Sequence, residues 1–190
     1  MAKELNKTRL RDSAIMAVIA IALIIFTPKM FPNNSLPNEI VGIIGYFLVI
    51  ICAIGRVYTT AFLGGFKNDK LITYGPFSMV RNPLYVFSFI GVLGISIMSM
   101  HIWVMLFAPA MFLFIYIPLI AREETFLMEK YPDDFQQYKT STPRLIPNLR
   151  LYSAPDVVNM KPQLLYNSVF DAVWWFVPFA LLKLLSSVSF

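Results

Sequence analysis

The sequence predicts an all-α protein: a polytopic transmembrane helix bundle of four to five spans with a cytoplasmic amphipathic helix. Three observations support this fold class. Of the 190 residues, 57% are hydrophobic and only 14% are charged, and the apolar residues form long uninterrupted blocks. Soluble domains carry about a quarter charged residues, and their apolar positions come in shorter, interrupted runs. We therefore expect residues 1–190 to form a single integral membrane domain.

Four apolar blocks are long enough to cross a bilayer, since a hydrocarbon core of about 30 Å takes about 20 helical residues. They are residues 13–31, 40–63, 83–100 and 102–121. Only His101 separates the last two, so we expect them to form an antiparallel hairpin. A fifth candidate, residues 169–188, carries two tryptophans that suit a membrane interface, but it also contains Pro178 and Lys183. The sequence leaves open whether this segment crosses the bilayer.

Basic residues are distributed unevenly between the apolar blocks. Four precede the first block, three lie in residues 64–81 and six lie in residues 122–161, whereas the loop after the first block has only Lys29. The positive-inside rule identifies the basic segments as cytoplasmic. We therefore expect an integral protein of the cell (inner) membrane with a cytoplasmic amino terminus. The net charge of +5 then reflects topology, and no basic, aromatic-interleaved surface indicates nucleic-acid binding.

Cysteine and histidine are too few for a metal site or a disulfide. Cys52 is the only cysteine and lies inside an apolar block, where we interpret it as a packing residue. His101 is the only histidine and lies between two blocks, where a polar turn residue is expected. We predict no metal site.

The first polar stretch, residues 70–85, comes directly before the third apolar block. Gly75-Pro76 predicts a turn. Asn82-Pro83 predicts a helix start, since asparagine is a preferred N-cap and proline suits the first helical position. The free N–H groups of such a helix end, with Arg81 beside them, could bind a carboxylate or a phosphate.

The second polar stretch follows the fourth block and begins Arg122-Glu123-Glu124. Apolar residues then recur at helical spacing among charged ones, which predicts an amphipathic helix at the membrane surface. Two adjacent carboxylates at the end of a spanning helix need a cation, an arginine or water. Either stretch alone also fits a simpler interpretation, in which these charges only anchor or solvate helix ends. Together they offer both signs of charge on one side of the membrane, as a zwitterionic amino acid requires.

These motifs, in this order, resemble the isoprenylcysteine carboxyl methyltransferase and phospholipid N-methyltransferase superfamily of small membrane enzymes. The resemblance covers about residues 55–147. The matching residues are Leu71-Ile72, Gly75-Pro76-Phe77, Arg81-Asn82-Pro83-Leu84-Tyr85, Glu123-Glu124-Thr125-Phe126-Leu127, Tyr131-Pro132, Phe135, Tyr138 and Arg144-Leu145-Ile146-Pro147.

The resemblance implies an S-adenosylmethionine-dependent methyltransferase whose cofactor binds the cytoplasmic segments 64–82 and 121–150. It implies a lipid or lipophilic small molecule as acceptor. It assigns catalytic roles to Arg81, Asn82 and Glu124. Carried over to this chain, the cofactor-binding residues are Lys70, Leu71, Ile72, Gly75, Phe77, Asn82, Pro83, Tyr85 and Glu123.

Four positions depart from the family pattern. Asn82 stands where the commonest form has histidine, Phe77 replaces a tyrosine and Pro132 replaces a glycine. Leu119 stands where the prenylcysteine enzymes have an arginine that contacts the substrate, which weakens the case for that substrate. The alternative to an enzyme is a catalytically degenerate membrane scaffold or partner-binding protein of the same fold. The sequence does not identify the acceptor or the oligomeric state.

Overall fold

A computed structural model describes the backbone of residues 2–33, 35–64 and 70–188, and their side chains except those of residues 2–10, 179, 183 and 185–188. Within these ranges every regular element is helical, which confirms the predicted all-α class. The helices are α1 (Ala2–Phe26), α2 (Leu36–Leu63), α3 (Pro76–Met79), α4 (Pro83–Met98), α5 (Ile102–Lys130), α6 (Pro132–Ser141), α7 (Pro162–Trp174) and α8 (Val177–Val188), with a 3₁₀ turn at Leu149–Leu151.

Two helices are long and apolar enough to cross a membrane. They are α2, with 28 residues, and α5, with 29 residues; an 18-residue stretch of each has a mean hydropathy of 2.4 and 2.3, respectively. Both expose large apolar side chains, including Phe47 and Ile54 on α2 and Phe114 on α5, as expected for helices in contact with lipid. Helix α4 is apolar but has only 16 residues. The total of four to five spans stays a prediction.

Helices α2 and α4 run antiparallel. They pack closely because glycines at their interface have no side chains to separate them. A Cβ on Gly45 would lie 2.6 Å from the carbonyl oxygen of Gly94, and a Cβ on Gly91 would lie 2.6 Å from the Cys52 sulfur. Small residues allow membrane helices to approach each other in this way. Cys52 is fully buried at this interface, as a packing residue would be.

The predicted hairpin of α4 and α5 is present, and its turn is held by the end of α1. Thr27 donates its hydroxyl proton to Leu23 O at 2.6 Å, so the neighbouring His101 Nδ1–H donates to Thr27 Oγ1 at 3.0 Å. His101 is 3% exposed. Burial lowers the pKa of His101, and the nearby positive charge of Lys29 lowers it further. His101 is therefore a neutral turn residue.

One predicted boundary was wrong, and two further segments extend or divide beyond what the sequence specified. Helix α1 ends at Phe26 rather than at residue 31, because Pro28 restricts the residue before it and has no N–H to continue the helix. Helix α5 continues through the two glutamates to Lys130. The fifth candidate segment forms two helices, α7 and α8, separated at Trp175 and Phe176. Pro178 lies in the first turn of α8, where a proline costs little.

Helix α2 ends, α4 begins and α5 ends at one end of the bundle, which we call the motif end. The turn between α4 and α5 lies at the opposite end, beside the start of α2. Helix α7 begins at the motif end, where the Lys161 N–H donates to Gly64 O at 3.2 Å. The two polar stretches found in the sequence are therefore neighbours in space.

Candidate functional site

Glu124, near the end of α5, is the centre of an ionic cluster at the motif end. Its Oε1 accepts from Arg81 Nε at 3.1 Å and from Asn82 Nδ2 at 3.0 Å. Its Oε2 lies 3.1 Å from Arg144 Nε. The Glu124 side chain is 13% exposed and that of Arg81 is 8% exposed. Two arginines thus compensate the charge of a largely buried carboxylate. Removal of either arginine would leave this buried charge less well compensated, which is energetically costly.

Arg81 also connects this cluster to the end of α6. Its Nη1 donates to the carbonyl oxygens of Lys139 at 3.0 Å and Thr142 at 2.6 Å. Its backbone N–H donates to Pro143 O at 2.8 Å. Charge-assisted bonds of this kind are about twice as strong as neutral ones. Arg81 therefore fixes the turn before α4 against both α5 and α6.

Asn82 lies at the predicted start of α4, with Pro83 at the first helical position, but its side chain does not cap the helix. The amide nitrogen instead donates to Glu124 Oε1 and, at 3.2 Å, to Arg144 O. A cap would use the amide oxygen as an acceptor, but the charge-assisted bond of the amide nitrogen to Glu124 is stronger than a cap and sets the orientation of the whole amide. The expected side-chain cap was therefore wrong, and Asn82 connects the two polar stretches directly.

Glu123 occupies a different position from its neighbour. Consecutive helical residues point about 100° apart, so Glu123 is directed away from the contacts of Glu124. Its side chain is half-buried. Over the described side chains, no hydrogen bond or ion pair is found for its carboxylate. The two adjacent acids are thus unequal: one holds the helix ends together and the other is available.

The turn at residues 75–80 is held by a later segment that the sequence did not indicate. Gly75 has φ +62°, a conformation that favours glycine, and it precedes the short helix α3. Gly75 N–H donates to Ser153 O at 2.7 Å, and Ser153 N–H donates to Ser78 Oγ at 2.9 Å. Asn148 N–H donates to Met79 O at 3.0 Å. These contacts have no short-range sequence signal because they join residues 69 to 78 positions apart.

The predicted amphipathic segment is divided between the end of α5 and α6, and α6 packs its apolar side chains onto this turn. Phe135 and Tyr138 are buried, and the Tyr138 hydroxyl donates to Phe77 O at 2.6 Å. Burial raises the pKa of Tyr138, and this outweighs the opposing effect of Arg81. Tyr138 is therefore a protonated donor.

The other predicted cofactor-binding residues surround the cluster with different degrees of burial. Ile72, Gly75 and Pro83 are buried, Leu71, Phe77 and Tyr85 are half-buried, and Lys70 is exposed. The Tyr85 ring packs against the Tyr116 ring of α5, with 5.6 Å between the ring centroids. The structure joins Arg81, Asn82 and Glu124 by direct contacts, and no described hydrogen bond connects Lys70, Leu71 or Ile72 to them. Cofactor binding by these residues stays a prediction.

A surface cleft of about 480 Å³ lies next to this cluster. Leu71 is the one predicted cofactor-binding residue among those that line it. The cleft is lined by Leu71, Thr73, Ser78, Asp134, Gln137, Tyr138, Ser141, Thr142 and Leu151. Among the described residues, no group of three histidine, cysteine, aspartate or glutamate side chains could hold a metal ion.

Together these features define an all-helical, membrane-associated protein with an ionic cluster where two apolar helices end. The chain belongs to the phospholipid methyltransferase family, whose model matches residues 40–134. The matched region contains Arg81, Asn82, Glu123 and Glu124.

Two curated proteins are similar to the chain. It is 30% identical over 132 residues to the cobalt-zinc-cadmium resistance protein CzcN of Cupriavidus metallidurans, covering 70% of this chain and 61% of that protein. It is 30% identical over 161 residues to the nickel-cobalt-cadmium resistance protein NccN of Alcaligenes xylosoxydans xylosoxydans, covering 85% of this chain and 74% of that protein. The chain thus spans about three fifths of the first relative. No solved structure matches the chain significantly.

Proposed function

We propose that this protein is an S-adenosylmethionine-dependent methyltransferase that acts on a lipid-like or hydrophobic acceptor at the membrane. Membership of the phospholipid methyltransferase family supports methyl transfer as the reaction class. The observation that carries the proposal is the 3.0 Å contact of Asn82 with Glu124, two residues 42 positions apart. This contact brings the two polar stretches to one place, as a single cofactor pocket requires.

The residues present fit the amino-acid end of this cofactor, which carries one carboxylate and one ammonium group. The Glu123 carboxylate is half-buried without a described partner, so it can accept an ammonium group. Helix α4 has no side-chain cap at its start, so the positive end of its dipole, beside Arg81, can attract a carboxylate. We therefore assign Glu123 to the ammonium group and the start of α4 to the carboxylate, with the remaining cofactor-binding residues named above around them.

When bound, the cofactor supplies a methyl group that is already activated on a sulfonium, so the protein mainly has to orient the acceptor and exclude water. Arg81, Asn82 and Glu124 hold the ends of α4 and α5 together, which keeps the pocket walls at a fixed separation. Correct orientation can lower a reaction barrier by about 7–11 kcal/mol. We assign catalytic roles to Arg81, Asn82 and Glu124 in this positioning sense, and we nominate no general base.

We further propose that α1, α4 and the α7–α8 pair cross the membrane beside α2 and α5, with the amino terminus and the motif end in the cytoplasm of an inner-membrane protein. The support is the charge distribution, in which thirteen of sixteen basic residues lie on the side that would be cytoplasmic. The acceptor would then reach the motif end laterally from the bilayer, and the cofactor would enter from the cytoplasm.

Isothermal titration of the detergent-purified protein with S-adenosylhomocysteine tests this proposal. We expect saturable binding by the native chain and at least a tenfold loss of affinity in Glu123→Ala. The matched control is Glu129→Ala, which removes an exposed acid from the same helix and should leave affinity unchanged. Absence of binding by the native chain, or equal affinity of Glu123→Ala and the native chain, would contradict the proposal.

A catalytically degenerate scaffold is the second candidate. The observation that favours it is Asn82, which has no ionisable imidazole and whose amide is already bonded to Glu124 and Arg144. Membranes containing the protein can be incubated with radiolabelled S-adenosylmethionine, and label can be counted in total lipid and in small thiols. An enzyme labels one of these fractions above membranes that lack the protein, whereas a scaffold labels neither.

The names of both relatives refer to resistance to cobalt and cadmium. We propose that this chain contributes to tolerance of such metals through methylation of its acceptor. A strain without the protein should then grow less well on Cd²⁺ than its parent, and Glu123→Ala should fail to restore growth while Glu129→Ala restores it. Full restoration by Glu123→Ala would separate tolerance from the proposed cofactor site.

A further inference from the structure

A second polar cluster lies between α2, α4 and α7, apart from Glu124. Arg56 on α2 donates from Nε to Asp171 Oδ2 of α7 at 3.1 Å and forms an ion pair with the same oxygen through Nη2. Its Nη1 donates to the Ser88 hydroxyl of α4. The Trp175 ring lies 5.6 Å from the guanidinium carbon, a cation–π distance. Arg56 therefore faces the interior of the bundle.

This cluster lies well inside the apolar segments. Arg56 precedes Gly64, the end of α2, by eight residues, which corresponds to about 12 Å along a helix. Asp171 follows Pro162, the start of α7, by nine residues, or about 14 Å. Ionisable groups at such a depth are costly and most often have a function.

The two charges of the pair are held unequally. The Arg56 side chain is 21% exposed and is fixed from three sides by Ser88, Trp175 and Asp171. The Asp171 side chain is 52% exposed and uses one oxygen only. A guanidinium has five N–H donors, and three of those of Arg56 are used in the described contacts. Arg56 is thus a fixed cation with two N–H donors that the described contacts do not use, and Asp171 is the less constrained partner.

The surroundings of Asp171 are apolar. Its neighbours Phe170, Val173 and Trp174 are 69%, 57% and 70% exposed. With the α7–α8 pair crossing the membrane as proposed above, this half-exposed carboxylate would face the hydrocarbon and head-group region. A molecule that reaches this cluster from that side must carry an apolar chain.

We propose that Arg56 binds the anionic head group of a membrane amphiphile, and that Asp171 forms the ion pair with the Arg56 guanidinium when the amphiphile is absent. A phosphate or carboxylate matches the planar donor fork of arginine. This inference rests on the proposed function in one respect, because the bound amphiphile would be the methyl acceptor. Ser88 lies three residues after Tyr85, on a neighbouring part of the same helix face, so the acceptor site and the predicted cofactor site would adjoin.

Titration of the purified protein with a water-soluble anionic lipid tests this inference. In neutral detergent, the native chain should bind dioctanoyl phosphatidic acid saturably, and Arg56→Gln should weaken binding at least tenfold. Asp171→Asn should bind equally well or more tightly, because it removes the competing carboxylate. The matched control Arg122→Gln removes an exposed arginine at the end of α5 and should bind as the native chain does. Dioctanoylglycerol and inorganic phosphate should each bind at least tenfold more weakly, since one lacks the anion and the other the chain.

The outcomes separate a binding site from a purely structural ion pair. A structural pair predicts that Arg56→Gln and Asp171→Asn impair lipid binding equally, and that the double variant restores it; either result would overturn the inference. Equal binding of dioctanoylglycerol or inorganic phosphate would also overturn it. The same samples are titrated with S-adenosylhomocysteine. If the native chain binds the lipid in an Arg56-dependent way but does not bind S-adenosylhomocysteine, the methyltransferase proposal is refuted and the lipid site is retained. If the native chain binds S-adenosylhomocysteine but not the lipid, only the lipid site is refuted.

Discussion

Replacing Glu124 by alanine tests whether this carboxylate holds the motif end together. The substitution removes the contacts to Arg81, Asn82 and Arg144, at 3.0–3.1 Å. A hydrogen bond to a charged group contributes about 1.5–3 kcal/mol, and neighbouring contacts are not additive. Arg81 keeps two carbonyl partners, Lys139 and Thr142, so its charge stays partly satisfied. We expect Glu124→Ala to cost about 3 kcal/mol in free energy of unfolding.

The assay is thermal unfolding in neutral detergent, followed by intrinsic tryptophan fluorescence. For a chain of this size, 1 kcal/mol corresponds to about 2–4 °C in Tm, so Glu124→Ala should unfold about 6–12 °C below the native chain. Glu124→Gln keeps an oxygen that can accept from Asn82 and should lose about half as much.

The neighbouring Glu123→Ala provides the control, because its carboxylate has no partner among the described side chains. Its Tm should stay within about 2 °C of the native value, in line with most surface substitutions. The two substitutions therefore separate two roles, with stability depending on Glu124 and S-adenosylhomocysteine affinity depending on Glu123. An unchanged Tm in Glu124→Ala, or an equal fall in both variants, would refute the unequal roles assigned to the two acids.

The remaining predictions concern the packing of α2 and the buried histidine. Gly45→Ala should lower stability by about 1–3 kcal/mol because its Cβ would meet the α4 backbone. Gly42→Ala, whose Cβ would have its nearest neighbour at 3.8 Å, should leave the Tm equal or higher; equal effects would contradict the close approach. Since burial lowers the pKa of His101, the unfolded chain binds a proton more readily, and stability should fall as pH drops below the ordinary value of 6.5. His101→Asn should show a smaller fall in Tm between pH 8 and pH 5, and an identical fall would exclude His101 as its source.

The helices that could be predicted best were those whose signal is local. The apolar block at residues 40–63 became α2, and Pro83 and Ile102 begin α4 and α5 as predicted. The ends of helices were harder to predict where composition gives no boundary. Nothing in the run from Ile102 stops the helix at the membrane surface, so α5 continues to Lys130. The last segment divides into α7, which packs against α2, and α8, which packs against α4 and begins one residue before Pro178, whose ring restricts the backbone there.

The candidate site was predictable to the extent that its residues lie in compact motifs. Arg81, Asn82 and Glu124 were selected from two short stretches, and the structure places them in contact. The amide of Asn82 was assigned to the wrong partner, because capping is a local rule and Glu124 lies 42 positions away. The supporting contacts of Asn148 and Ser153 were missed for the same reason. These two residues contact the turn through their backbone groups, which every residue carries.

Part of the Arg56 cluster lies outside the region that the family model matches, which would explain why family membership does not identify the methyl acceptor. The family match ends at residue 134 and includes Arg56 and Ser88, but Asp171 and Trp175 lie beyond it on the α7–α8 pair. The predicted cofactor residues fall inside the matched region, so the proposed methyl-donor site would be shared within the family. If the acceptor binds at Arg56, half of its surroundings come from a segment outside the match, and relatives with different carboxyl-terminal helices could use the same donor site for different acceptors. Trp175→Leu removes the aromatic ring beside Arg56 and should therefore weaken lipid binding while leaving S-adenosylhomocysteine affinity unchanged.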